Sequence, residues 1–207
     1  MTQVESPRLG RKRDHTRDPE ILDAALEILA EVGYDGMTID MVAARAKAGK
    51  ATLYRRWSSK GELVIDAVAC MKKVDLARES LPDTGSLRGD LVAMIRPHSI
   101  EEGERKIQIM AGLMSMLSRA PELVESAAEA IIAPRLEVNR LFLRRAIDRG
   151  EIRADIDIDM IAMVGPSMTT NRVLVERKTI DPEFALRMID EVILPAVGLN
   201  RRVDSER

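Results

Sequence analysis

Residues Gly49-Lys50-Ala51-Thr52-Leu53-Tyr54-Arg55-Arg56-Trp57 decide the fold. On a helix, Leu53 and Trp57 stand four apart and share an inward face, which leaves Thr52, Tyr54, Arg55 and Arg56 on other faces and Lys50 at the start. Just upstream, Thr38 reads as the N-cap of another short helix, with Ile39, Val42, Ala43 and Ala46 inward. Lys47-Ala48-Gly49 then makes a tight turn. Two short helices joined this way build a poor core but present the second helix well to a groove. The side chains on offer are cations, a hydroxyl and a phenol, which reach phosphates and base edges in the major groove.

Charge agrees. Residues 41–60 carry six basic residues (Arg45, Lys47, Lys50, Arg55, Arg56, Lys60) and no acid. Residues 8–17 carry five (Arg8, Arg11, Lys12, Arg13, Arg17) against Asp14 alone. After Gly61 the balance turns acidic, so that the net charge of the chain is −2. Such asymmetry points to a local anion-binding face, although charge alone also allows a plain solvated surface.

Outward from this centre the chain reads as helices. Residues 1–17 lack apolar periodicity and form a basic arm. Asp18-Pro19-Glu20 opens a helix with Ile21, Ala25, Ile28, Leu29 and Val32 on one face, and Gly33 stops it. Ser59-Lys60-Gly61-Glu62 reads as a capping box for a connecting helix over 59–80, with Leu63, Ala67, Cys70, Met71 and Val74 as its stripe. Pro82 and Gly85 mark a boundary near residue 81. Beyond it, helices are expected over 87–96, from a capping box at Ser99 to Leu117, over 121–150 with a kink at Pro134, over 157–176, and from Asp181-Pro182 to Gly198. Residues 201–207 are a polar tail. The composition, rich in helix formers and poor in aromatics, gives an all-α protein: a DNA-binding unit over 18–65 and a helical domain over 81–200.

Several function classes fall away. One cysteine, Cys70, allows no intramolecular disulfide and no cysteine-based zinc site. No apolar run is long enough to span a bilayer and the first residues do not read as a signal, so a cytoplasmic protein is expected. The only histidines are His15 and His98, and no phosphate-cradling glycine loop, metal-spaced ligand set or G-x-S-x-G elbow is present. No enzyme, catalytic residue, metal or cofactor is expected.

Gly33-Tyr34 through Thr38-Ile39, Val42-Ala43-Ala44-Arg45-Ala46, the nine residues from Gly49, then Ser59-Lys60 and Leu63-Val64 together resemble the DNA-binding domain of the TetR family of transcriptional regulators. The likeness covers about 18–65, and the Tyr54-Arg55-Arg56-Trp57 ending is similar to one large branch. There are two departures: Lys47 stands where the turn usually has glycine, and Ala48 where it usually has a larger apolar residue.

The resemblance implies an N-terminal three-helix DNA-binding domain and a C-terminal ligand-binding and dimerisation domain. It implies a homodimer on a palindromic operator, most simply a repressor, released by a small-molecule effector. By position, Lys50, Ala51, Thr52 and Arg55 meet base edges or nearby backbone, while Thr38, Tyr54, Lys60 and Arg45 meet phosphate, Arg45 having a surface ion pair as its alternative. Arg11, Lys12 and Arg13 would track a minor groove. Trp57 is assigned to structure. Candidate dimer residues are Met168, Arg172, Val173, Phe184, Met188, Val192 and Pro195; candidate pocket residues are Met94, Met110, Met114, Leu117, Phe142 and Met163, and plain core is the alternative for both sets. Arg96, His98 and Arg172 are candidates to receive an anionic group. Two other functions stay open: a constitutive DNA binder without effector, and a helical small-molecule carrier whose DNA-binding face is vestigial.

Overall fold

The computed structural model describes residues 18–77, 81–96 and 99–199, with 74–77 as backbone alone. Arg11, Lys12, Arg13 and His98 lie outside the described residues, as does the tail. All regular structure among the described residues is helical: α1 (Asp18–Gly36), α2 (Ile39–Arg45), α3 (Lys50–Arg56), α4 (Lys60–Ala77), α5 (Leu87–Ala93), α6 (Ile100–Arg119), α7 (Val124–Ala127), α8 (Ala133–Asp148), α9 (Ile158–Leu174), α10 (Pro182–Met188) and α11 (Leu194–Ala196).

The chain's punctuation works as its residues suggest, with local departures. Gly33 breaks α1 at φ 69°, ψ 176°, and one more turn runs on to Gly36. Val32, expected on the inward face, is therefore 43% exposed where the chain turns away. Ser59 Oγ accepts the Glu62 N–H, but the Glu62 carboxylate returns to Ser58, accepting its N–H at 2.9 Å and its hydroxyl at 2.8 Å. The Ser99–Glu102 capping box is reciprocal. α5 is shorter than expected and ends at Ala93.

Proline shapes the rest. A π turn, Ala128–Ile132, precedes Pro134, and another, Ile189–Ile193, precedes Pro195. A proline lacks an N–H and crowds the carbonyl four residues back, and a widened turn relieves both problems.

Two apolar cores form. The first joins α1 to α4 with Ile109, Leu113 and Met116 of α6, and with Ala127 and Ile131. α4 is buried nearly all round, through Leu63, Val64, Ile65, Ala67, Val68 and Ala69. The second joins Leu87, Phe142, Leu143, Ala146, Ala162 and the C-terminal helices. Packing therefore does not divide at residue 81, because α6 lies beyond that boundary and belongs to the first core. It approaches α1 closely: a Cβ built at Gly112 would lie 2.6 Å from Leu29 Cδ1.

Candidate nucleic-acid interface and ligand cavity

α3 is held from behind. Leu53 (1% exposed) and Trp57 (6%) sit in the first core, and Trp57 Nε1 donates to Asp66 Oδ2 at 2.8 Å. Arg56 turns inward as well and pairs with Asp18 at the start of α1. The outward face is then Lys50, Ala51, Tyr54 and Arg55, all exposed, with Thr52 half-buried beside them. Tyr54 is 58% exposed, a large cost for a ring that only packed at a rim. Arg55 is exposed and has no hydrogen-bonding or ionic partner among the described residues.

The turn before α3 is strained at Lys47, where the sequence departs from the family it resembles. Lys47 takes φ 49°, the left-handed region, which costs a residue with a Cβ about 1–2 kcal/mol. Thr38 is an exposed N-cap whose Oγ1 accepts the Met41 N–H at 3.2 Å.

Three expected contacts are engaged within the protein. Arg45 donates to Glu27 at 3.0 Å and to both oxygens of Glu31 at 2.9 and 2.8 Å. That brace ties α2 to α1, raises the guanidinium's pKa and lowers that of Glu31, through the hydrogen bond first and the charge second. Lys50 Nζ lies 2.5 Å from Asp40 Oδ2, a carboxylate just outside the acid-free stretch. Lys60 Nζ donates to the carbonyls of Tyr34 at 2.7 Å and Met37 at 2.9 Å and lies over the Tyr34 ring, 4.1 Å from its centroid. It clamps the α1–α2 turn, and burial there lowers its pKa.

Residues 21–67 match the family described as bacterial regulatory proteins, tetR family, and residues 81–192 match the tetracyclin repressor-like C-terminal domain. The chain is 37% identical over 191 residues to the DNA-binding transcriptional repressor TetR of Mycobacteroides abscessus, covering 88% of this chain and 94% of that protein. It is 34% identical over 182 residues to an uncharacterised HTH-type transcriptional regulator of Mycobacterium tuberculosis, covering 87% and 88%. The crystal structure of a TetR family transcription regulator superposes with a TM-score of 0.66 at 26% identity, covering 87% of this chain and 97% of that one. The chain belongs to the TetR family. It is a DNA-binding transcriptional regulator rather than an enzyme. No described helix is long and apolar enough to cross a membrane.

In this TetR-family chain a cavity of about 490 Å³ opens between α5, α6, the start of α8, α9 and the C-terminal helices. Small-molecule sites span about 300–1,000 Å³. Met94 and Met110 line the cavity, whereas Met114, Leu117, Phe142 and Met163 do not. Met114 and Met163 are 44% and 43% exposed, Leu117 packs on the first core and Phe142 is sealed in the second. The second half of α6 is spent on α1, so only its first half reaches the cavity, at Gly103, Lys106 and Met110.

Arg96 is on the wall; Arg172 is not. Arg172 donates to the Thr179 carbonyl at 2.7 Å and to Asp181 Oδ2 at 2.5 Å, and it stacks on Phe184 at 4.3 Å. Of the candidate dimer residues, Val173 and Met188 line the cavity, Met168 and Phe184 are half-buried, and Val192 and Pro195 are exposed. Most of the wall was missed from sequence, including its polar residues Arg135 and Asn139. The signal was there: Ile131, Arg135, Asn139, Phe142 and Ala146 follow one helical stripe, and an arginine within such a stripe is out of place on a purely structural helix.

Proposed function

We propose that the protein is a cytoplasmic repressor that binds a palindromic operator as a homodimer and leaves it when a small molecule fills the cavity. The observation that carries the first part is the division of α3. Leu53, Arg56 and Trp57 anchor it, which leaves Lys50, Ala51, Tyr54 and Arg55 outward as one surface, the arrangement a major groove requires. Lys50, Ala51, Thr52 and Arg55 read bases or adjacent backbone; Thr38 and Tyr54 hold phosphate. Lys50 exchanges Asp40 for DNA, and Lys60 supports the phosphate-facing turn from behind. We place the chain in the branch with the Tyr54-Arg55-Arg56-Trp57 ending, whose four residues divide evenly between DNA contact (Tyr54, Arg55) and anchoring (Arg56, Trp57).

Dimerisation follows from the need to read two half-sites about one helical turn apart. Met160, Met163 and Val192 are exposed apolar residues on α9 and the C-terminal helices, and with Pro195 they are the surface offered to a second copy. Release is supported by α6, which lines the cavity with its first half and packs on α1 with its second. A ligand that prefers one position of α6 shifts the spacing of the two α3 helices. A coupling of about 1–3 kcal/mol changes operator affinity about 5–150-fold.

The test is enrichment of random duplex DNA on the purified protein, then anisotropy on the winning site across a salt series. A palindromic winner bound with a steep salt slope, and far more tightly than scrambled DNA, supports the reading. Weak binding without an enriched site overturns it in favour of a constitutive DNA binder without effector or a carrier with a vestigial face.

A further inference from the structure

We propose that the cavity takes an organic monoanion, a molecule with an apolar body and one carboxylate, and that Arg135 receives the carboxylate. The inference rests on the ligand-responsive reading above and names the chemistry of that ligand.

Arg135 lines the cavity, and no hydrogen bond or ion pair to it exists among the described residues. Arg135 is half-buried, whereas Asp90, the fully buried charge among the described residues, has partners in Thr84 and Arg149. Burial alone pulls its pKa below the ordinary value, with nothing to offset it. An unpartnered cation in such a place costs the empty protein free energy, and an arriving anion recovers it. The planar guanidinium matches a carboxylate with two parallel hydrogen bonds.

The rest of the wall narrows the class further. Lys72, Arg96 and Lys106 also line the cavity, each already engaged within the protein. Asp181, the one carboxylate on the wall among the described residues, is taken by Arg172 and by the Phe184 N–H. No acid there is left to receive a cationic ligand. The remaining surface is largely aliphatic, including Met94, Met110, Ile131, Ile161, Val173 and Ile189, and suits a flexible or alicyclic body. Among the described residues one guanidinium on the wall is without a partner, and it answers one charge. Asn139, one turn along α8, has its Nδ2 already donating to the Ala162 carbonyl, and its unpaired Oδ1 offers an acceptor to the ligand's body rather than a donor to its carboxylate.

Octanoate, decanoate and dodecanoate, each against the matching straight-chain alcohol, test this by calorimetric titration of the full-length protein. The expected result is that the acids bind about tenfold or more tightly than the alcohols. In Arg135→Met the acid and alcohol affinities converge, while Arg135→Lys keeps part of the preference. Thermal melts accompany each variant. Removing an unpaired charge leaves the melting temperature of Arg135→Met at or above that of the unaltered protein, and Arg135→Gln repeats the comparison if that variant does not fold. Equal affinities in the unaltered protein, a preference that survives in Arg135→Met, or no binding of any acid overturns the proposal. Anisotropy on the enriched operator, run with and without decanoate, separates the two readings. Decanoate that binds through Arg135 without releasing DNA sinks ligand release and leaves the cavity chemistry standing. Release that persists in Arg135→Met sinks the role of Arg135 alone.

Discussion

Asn139 stands in for the backbone N–H that Pro166 lacks. In an unbroken α9 the N–H of residue 166 would reach the carbonyl of Ala162; proline has none, and Asn139 Nδ2 on α8 donates to that carbonyl instead, at 2.8 Å. The orphaned carbonyl and its donor come from different helices, both on the cavity wall. The bond therefore holds α9 to α8 at the place where α9 is weakest.

The two residues should be coupled. Asn139→Ala leaves the Ala162 carbonyl unpaired and costs about 1–2 kcal/mol, near the low end because the partnerless Asn139 Oδ1 is removed with it. Pro166→Ala restores an N–H that can reach the same carbonyl. In that background Asn139→Ala should cost clearly less, and chemical denaturation of the four proteins measures the difference. Strict additivity would show that the bond carries no weight.

Such a pairing lies beyond sequence reading, because it joins residues 27 apart through a proline whose effect depends on what packs beside it. What was legible had local causes. Thr38, Ser99 and Asp181 all cap the helices that follow them, since a short polar side chain before a helix satisfies its first N–H groups wherever it occurs. The face of α3 was legible because Leu53 and Trp57 fix its rotation. The partners of Arg45, Lys50 and Lys60 were not, since Glu27, Glu31, Asp40 and the Tyr34 carbonyl reach them only after α1 and α2 have docked. The cavity was misplaced for a related reason: methionine spacing along α6 marks an apolar face but does not say which helix covers it.

The basic residues of the DNA-binding domain should separate into readers and supports. Arg55→Met should cost about 1–3 kcal/mol on the enriched operator, concentrated at particular base pairs, with the melting temperature unchanged. Lys60→Met deprives two carbonyls of their donor and should lower stability by about 1 kcal/mol, with a loss of DNA affinity spread evenly over sequences. Anisotropy on single-base operator variants, paired with thermal melts, distinguishes the two patterns. Unchanged stability in Lys60→Met would return that lysine to direct phosphate contact.

Acid should loosen the start of α10. The Phe184 N–H, and after it Arg172, hold the Asp181 carboxyl below its ordinary pKa. A folded pKa depressed below the unfolded one means that this stabilisation is fully present above about pH 4 and is lost as pH falls through the folded value. Asp181→Asn keeps an acceptor for the cap but gives up the charge on Arg172. Its deficit relative to the unaltered protein should be under about 1 kcal/mol at neutral pH, given the pair's partial exposure, and should shrink below about pH 4. A deficit that stays constant down to pH 3 in urea titrations would sink this assignment.

Gly112 should set how closely α6 transmits to α1. A Cβ there would stand 2.6 Å from Leu29 Cδ1 and 2.9 Å from its Cγ, and Leu29, at 1% exposure, has no room to retreat. Gly112→Ala therefore pushes the helices apart or forces Leu29 off its rotamer, at a cost of about 1–3 kcal/mol. The displaced surface is the one that carries α1 and, through Arg56 and Asp18, the recognition helix. Operator affinity should fall further than stability alone explains when measured well below the melting temperature. Leu29→Ala opens space at the same contact, so that the double variant should be more stable than the two single losses predict. If Gly112→Ala left operator affinity untouched while destabilising the fold, α6 would be a packing element only, and a ligand's influence on α3 would have to travel through α4.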